Sequence, residues 1–161
     1  MYLGVISDTH GNIFRVQQAM QTFREFEVSR IIHCGDIGSS EVVPLFRGIA
    51  TEFVFGNCDG NSNVIREAIL REHQTCHDFF GHIAVEGKLI AFLHGHDQSL
   101  FDRELASQRW DMICYGHTHQ ASLRMSGNTI VMNPGAIARA VTPSVAVVRL
   151  PELDVTQIHI R

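Results

Sequence analysis

The sequence predicts an α/β protein built on two mixed sheets packed face to face, with helices outside. Three observations carry that reading. The first half alternates short apolar runs with amphipathic stretches, which argues parallel strands joined by right-handed helical crossovers. The second half pairs apolar runs across tight-turn signals, which argues antiparallel hairpins. No linker, repeat or low-complexity segment separates the two halves, so residues 1–161 read as a single domain. A chain of that length buries a real core.

Tyr2 to Ser7 is an apolar run read as a buried strand, followed by the loop Asp8-Thr9-His10-Gly11-Asn12. Asn12 suits a helix N-cap, and Ile13, Val16, Met20 and Phe23 recur at helical spacing. Arg30 to Cys34 is a second strand, closed by Gly35-Asp36. Ser39 or Ser40 can cap a short helix through Phe46, with Pro44 blurring its start. Thr51 to Phe55 is a third strand, closed by Gly56-Asn57-Cys58-Asp59-Gly60, and a helix from Asn63 to Glu72 should set Val64, Ala68 and Ile69 on one face. Asp78 to Val85 and Lys88 to Leu93 form a hairpin around Glu86-Gly87, its second strand ending in His94-Gly95-His96. A helix from Ser99 to Gln108 precedes the strand Asp111 to Tyr115, which ends in Gly116-His117-Thr118-His119. Ser122 to Met125 and Thr129 to Met132 flank a turn at Ser126-Gly127-Asn128, and Asn133-Pro134-Gly135 follows. Ser144 to Leu150 and Asp154 to Ile160 make a last hairpin around Pro151-Glu152.

Apolar content of 45% and charged content of 19% are those of an ordinary soluble globular protein. A net charge of −4 supplies no basic footprint, which argues against polymeric nucleic acid or an acidic membrane surface as partner. Small anionic substrates stay open. The cysteines, Cys34, Cys58, Cys76 and Cys114, form no C-x-x-C pair and read as free thiols of a reducing compartment. The N-terminus runs directly into a strand with no basic leader, so it does not read as a signal peptide, and no apolar run approaches membrane-spanning length. The cytoplasm is the expected location.

In open α/β sheets, ligands gather at the carboxyl ends of strands. At those ends stand Asp8 and His10, Asp36, Asn57, His94 with His96, and His117 with His119. Carboxylates, imidazoles and one amide oxygen suit Mn, Fe, Ni or Zn rather than an all-thiolate site. They are too many for one ion with open positions and suit two ions that share a carboxylate. Such a pair, about 3.5–4 Å apart, can polarise one phosphoryl group jointly. Asp36, alone after a glycine, is free to approach both ions. Asn57 can give its oxygen to a metal while its NH₂ donates to a phosphate. Each block by itself has a plain alternative: Asp8, Asp36 and Asn57 are good turn residues, and His117/His119 can be a turn pair. It is their joint occurrence that points to a metal centre. His96 can also simply line the pocket. His33 alternates with apolar strand residues and is expected to be satisfied inside the fold; His73, His77, His82 and His159 are expected at the surface.

Asp8-x-His10, Gly35-Asp36, Gly56-Asn57, His94-Gly95-His96 and Gly116-His117-x-His119, in that order, resemble the calcineurin-like metallophosphoesterase superfamily. The small size, Gly56-Asn57-Cys58-Asp59 and Asn133-Pro134-Gly135 are similar to its small YfcE-type phosphodiesterase branch. The resemblance covers nearly the whole chain. It implies a four-layer α/β/β/α sandwich of two mixed sheets flanked by helices. It implies two divalent ions, Mn first and Fe, Ni or Zn as alternatives, one held by Asp8, His10, Asp36 and His119, the other by Asp36, Asn57, His94 and His117. The implied activity is hydrolysis of small phosphate diesters by in-line attack of metal-bound hydroxide, with no protein nucleophile, in a chain that can form a homo-oligomer. One residue departs from the pattern. Larger members often carry His directly after the Asn, where it orients or protonates the leaving group; here that residue is Cys58. Either Asp59 or His96, with His96 preferred, is then expected to supply the proton, or the substrate has a leaving group that needs little help. The alternatives are a phosphomonoesterase or nucleotidase of the same superfamily, which Cys58 disfavours, and a non-catalytic scaffold like the eukaryotic retromer subunit, which needs no such complete ligand set.

Overall fold

The structure, a computed structural model, describes Met1–Arg161. In chain order its elements are β1 (Tyr2–Ile6), α1 (Ile13–Glu25), β2 (Arg30–His33), a 3-10 helix (Ser40–Phe46), β3 (Ala50–Phe53), α2 (Ser62–Arg71), β4 (Thr75–Cys76), β5 (Phe80–Val85), β6 (Lys88–Leu93), α3 (Gln98–Ala106), β7 (Met112–Cys114), β8 (Ser122–Ser126), β9 (Thr129–Asn133), β10 (Ser144–Arg149) and β11 (Asp154–His159). They build two sheets, in the orders β11-β10-β1-β2-β3-β4 and β5-β6-β7-β9-β8. In the first sheet β1, β2, β3 and β4 run parallel, and the β10–β11 hairpin is added antiparallel against β1. In the second, β6, β7 and β9 are parallel, and β5 and β8 close the edges antiparallel. Both sheets are therefore mixed, as the change of pattern half-way along the sequence predicts.

The period-2 alternation of strand side chains sorts the core into layers. Leu3, Val5, Ile32, Phe92, Met112 and Cys114 pack between the two sheets. Ile6 and Ile31 face the other way, onto Val16, Met20 and Phe23 of α1 and Ile65 and Ile69 of α2. Ile113 and Leu93 face outward onto Phe101 of α3 and onto Trp110. The result is the expected helix–sheet–sheet–helix stack. Full burial of each such side chain contributes about 1.5–3 kcal/mol, and truncating Phe23, which is wholly buried, to Ala costs about 3–5 kcal/mol.

Local chemistry sets the element ends. The Asn12 side chain accepts from Arg15 N at 3.0 Å and starts α1. Ser39 caps the 3-10 helix through Glu41 N, and Pro44 sits inside it, where a continuous α-helix would lose a hydrogen bond. The β5–β6 hairpin turns at Glu86 and Gly87, both at positive φ (48° and 72°), as a type I′ turn requires. Two readings need correction, and one short strand has no signal in the sequence. Val64 is 50% exposed, and α2 buries Ile65 with Ala68 and Ile69 instead. The two-residue strand β4 extends the parallel sheet where the sequence offered no alternation to read. His77 is not a surface group: its Nε2 pairs with Glu52 at 2.8 Å and its ring stands edge-on to Phe92 at 5.1 Å.

The sandwich brings loops from both sheets to one edge. Asp8 N donates to Gly35 O (3.0 Å) across the first sheet, and Gly116 N donates to His94 O (3.0 Å) across the second. His117 N donates to Oδ2 of Asp8 at 3.2 Å and ties one sheet to the other. No helix is long and apolar enough to cross a membrane.

Candidate metal centre

Asp8 and Asp36 each follow a parallel strand and each sit at positive φ (56° and 53°), so the chain turns sharply as soon as the strand ends. Asp8 is fully buried. Its Oδ2 accepts from Ser7 Oγ at 2.6 Å and from His117 N, while its Oδ1 accepts from no donor and faces His119 Nε2 at 3.1 Å and His10 Nε2 at 3.9 Å. Asp36 repeats the arrangement: Oδ1 accepts from Cys58 N at 2.9 Å, and Oδ2 faces His94 Nε2 at 3.4 Å and His10 Nε2 at 3.7 Å. Each carboxylate thus spends one oxygen on the protein and turns the other to imidazoles.

The imidazoles are oriented by their other nitrogens. His94 Nδ1 donates to Cys34 O at 2.8 Å, and His119 Nδ1 pairs with Arg139 O at 3.4 Å. That leaves Nε2 of each with its lone pair toward the carboxylates, the tautomer a metal ligand needs. Burial works against ionising Asp36, but the His94 imidazole and then the Cys58 N–H more than reverse it, holding the carboxyl well below the usual range. Burial likewise pulls the His94 pKa down, and the Asp36 carboxylate outweighs it and raises it. His10 and His96 are lowered, chiefly by burial; for His10 the Arg139 charge adds to it, and for His96 the His94 charge does.

The fit to cations can be tested on the protein's own atoms. Asp8 Oδ1, His10 Nε2 and His94 Nε2 are buried and have no hydrogen-bond partner. Leaving such a group unpaired costs about 1–3 kcal/mol, yet His10 Nε2 lies 3.9 Å from Asp8 Oδ1, and both histidine atoms face Asp36 Oδ2, at 3.7 and 3.4 Å. The ligand atoms of Asp8, His10 and His119 lie within 4.8 Å of one another, as do those of Asp8, Asp36 and His94, and those of His10, Asp36 and Cys58. These overlapping groups of carboxylate and imidazole donors, with the Cys58 thiol in one of them, suit divalent cations.

The other expected residues stand further out. His117 is exposed, with its ring 5.1 Å from that of His94 and 6.3 Å from that of His96. Asn57 is exposed, its amide nitrogen 3.6 Å from Cys58 Sγ. Asp59 does not have the geometry of a catalytic acid. It is buried, and its oxygens accept from the backbone N–H groups of Ile37 (3.2 Å), Gly38 (2.8 Å) and Gly56 (2.8 Å), so it braces the two loops that carry Asp36 and Asn57. His33 is satisfied, as expected: Nδ1 accepts from Gly35 N at 3.2 Å, and Nε2 meets Thr9 Oγ1 at 3.0 Å.

The glycines of the motifs are explained by close approach. A Cβ on Gly56 would overlap Asp36 Oδ1, and one on Gly116 would overlap Ser7 Oγ and reach Asp8 Oδ2. Sequence reasoning missed Ser7 and Arg139. The hydroxyl directly before Asp8 was a usable signal. Arg139 had none, because only the return of the 134–143 loop, where Ile137 N donates to Ser7 O and Ala138 N to Asp8 O, brings it to the centre.

Comparison with known proteins agrees with this geometry. The calcineurin-like phosphoesterase superfamily domain matches residues 1–153. The chain belongs to that superfamily. This phosphoesterase is 30% identical over 139 residues to phosphodiesterase MJ0936 of Methanocaldococcus jannaschii, covering 84% of this chain and 83% of that protein. It is 31% identical over 142 residues to the probable metallophosphoesterase YsnB of Bacillus subtilis, covering 83% and 73%. A solved archaeal phosphodiesterase superposes with a TM-score of 0.91 at 25% identity over 99% of both chains. YfcE, a phosphoesterase from E. coli, shares the fold with a TM-score of 0.69 at 19% identity over the full length of both. So does Vps29 of Entamoeba histolytica in complex with Zn²⁺, with a TM-score of 0.66 at 15% identity over the full length of both. The expected family, fold and enzyme class, a phosphoesterase of a family that uses divalent metal ions, stand on these matches together.

Proposed function

We propose that this phosphoesterase hydrolyses small phosphodiesters at two divalent ions that share Asp36, one held also by Asp8, His10 and His119, the other by Asn57, His94 and His117. Mn²⁺ is the first ion to try. The observation that carries the reading is that Asp8 Oδ1, His10 Nε2 and His94 Nε2 are buried and unpartnered while each belongs to an overlapping cluster of donors around Asp8 and Asp36. Bound there, the ions would supply Lewis acidity to a phosphoryl oxygen and acidify water.

The chain's own residues do the rest. Asp8 and Asp36 bring anionic oxygens whose direction is fixed by Ser7, His117 N and Cys58 N. Asn57, exposed at the mouth, has an NH₂ to offer a phosphoryl oxygen. Arg139 brings a positive charge felt at both His10 and Cys58, matched to the single charge of a diester. Our candidate for giving a proton to the departing oxygen is His96, whose ring is 5.5 Å from that of His94 and 6.3 Å from that of His117. In the net reaction water adds across one P–O ester bond. Its oxygen ends on phosphorus, the departing oxygen takes a proton, and the products are a monoester and an alcohol.

The test compares bis(p-nitrophenyl) phosphate with p-nitrophenyl phosphate, with added Mn²⁺ and after chelation. Diester turnover that needs the metal, vanishes with chelator and exceeds monoester turnover is expected. A faster monoester moves the protein to the phosphomonoesterase class. Metal-loaded protein that turns over neither ester overturns the enzymatic reading in favour of a scaffold.

A further inference from the structure

A cavity of about 260 Å³ opens beside the centre, with His94 as the shared wall. Its other walls are Phe79, Leu93, Gly95, His96, Asp97 and Leu100. Phe79 is 53% exposed, an unusual position for a phenyl ring at the lip of a polar site. It does not hang free, because the buried Phe55 ring stands edge-on behind it at 6.2 Å, with the Arg66 guanidinium 5.2 Å over Phe55. On its other side the His96 ring is 6.2 Å away at 64°. His96 is in turn 5.5 Å from His94 and 6.3 Å from His117. An unbroken series of rings therefore runs from the metal-facing histidines to Phe79.

The lining also says what it cannot take. No Lys or Arg is among these residues, and the one carboxylate is that of Asp97, whose Oδ1 already caps α3 by accepting from Leu100 N at 3.0 Å. A second phosphate or a carboxylate would find no ammonium or guanidinium partner there and would meet the Asp97 carboxylate. Apolar walls with two rings at the mouth suit a flat uncharged group, through edge-to-face contact and burial. The volume falls just under the about 300–1,000 Å³ of sites that enclose a whole drug-sized ligand, so it suits one ring system rather than a chain of them.

The geometry points to a leaving-group subsite at Phe79, Leu93, His96 and Leu100 that holds an uncharged aromatic ring on the ester oxygen departing from phosphorus. This rests on the phosphodiesterase reading above and narrows it to esters of phenol-like or nucleoside-like alcohols. Phe79 is the specificity-determining residue and touches only the ring.

The test uses full-length protein loaded with Mn²⁺ and two ligands with the same charged head, phenylphosphonate and methylphosphonate, titrated calorimetrically so that no turnover is needed. Wild-type protein should bind the phenyl compound about tenfold tighter or better. Phe79→Ala should bring the two to parity without changing methylphosphonate binding, which also reports that the variant is folded, and Phe79→Trp should restore the preference. Equal binding of both ligands by wild type, or an equal loss of both in Phe79→Ala, overturns the subsite. Diester hydrolysis measured alongside separates the two readings. A ring preference without any ester turnover sinks the enzymatic reading alone, and turnover without a ring preference sinks the subsite alone.

Discussion

The Ser7 hydroxyl donates to Oδ2 of Asp8 across 2.6 Å, in a place where both residues are fully buried. That bond, with His117 N on the same oxygen, decides which oxygen of Asp8 is left for a cation. Outer partners of this kind are worth about 10–100-fold in metal affinity. Ser7→Ala should therefore weaken metal binding by that factor, read by competition with a chromophoric chelator, while changing folding stability by only about 1 kcal/mol. An unchanged metal affinity would remove Ser7 from the site's design.

His119 Nε2 lies 3.1 Å from Asp8 Oδ1, whereas the His117 ring is 5.1 Å from that of His94. His117→Ala and His119→Ala should each empty a different position. Metal content per chain should fall by about one ion in each variant, and anomalous scattering from Mn²⁺ crystals should show opposite peaks missing. Loss of the same peak in both variants contradicts the division of ligands.

Asp59 accepts three backbone N–H bonds that join the Gly35–Gly38 and Gly56–Asp59 loops. Asp59→Ala strands those donors in a buried place, at a cost of about 2–4 kcal/mol in chemical denaturation. The residual activity should keep the wild-type pH profile. A lost limb in that profile would restore Asp59 as the catalytic acid.

The Arg139 charge acts on His10 and Cys58. Arg139→Ala should raise KM for an anionic diester roughly tenfold with kcat changed much less, because an interaction made equally with bound substrate and transition state appears in KM. A loss confined to kcat would place the guanidinium on the reacting atoms instead.

His33 is fully buried, and burial followed by the His94 charge lowers its pKa from 6.5 to about 3. The unfolded chain takes up this proton at a higher pH than the folded chain does. The neutral imidazole's contribution is therefore fully present above pH 6.5 and is lost as pH falls toward 3. The full span is on the order of 5 kcal/mol. His33→Gln should flatten the stability curve between these limits in urea titrations at stepped pH. An unaltered slope would assign the acid sensitivity elsewhere.

Much of this protein is legible in its sequence because strand ends are marked by chemistry that strands avoid. Asp8, Asp36, Asn57, His94 and His117 all follow apolar runs and stand beside glycine or at a sharp turn. The 3.6 spacing through Val16, Met20 and Phe23 fixed α1, and Glu86-Gly87 fixed a hairpin, since each signal is local. β4 is not legible because two residues carry no period, and the face of α2 is ambiguous because Val64 and Ile65 both stand at helical spacing from Ala68. Asp59 looked like a free acid because its partners, Ile37 and Gly38, lie on another strand's loop.

What the sequence determined by itself was the ligand types and the order of their blocks, which local turn chemistry and apolar patterning suffice to write. Only the tertiary structure decided how they are used: which oxygen of Asp8 and Asp36 is spent on the protein, which nitrogen of His94 is turned to Cys34, and that Arg139 and Phe79 reach the same edge. Those choices depend on hydrogen bonds and ring contacts between residues far apart in the chain, made when two sheets pack, and no local pattern encodes them.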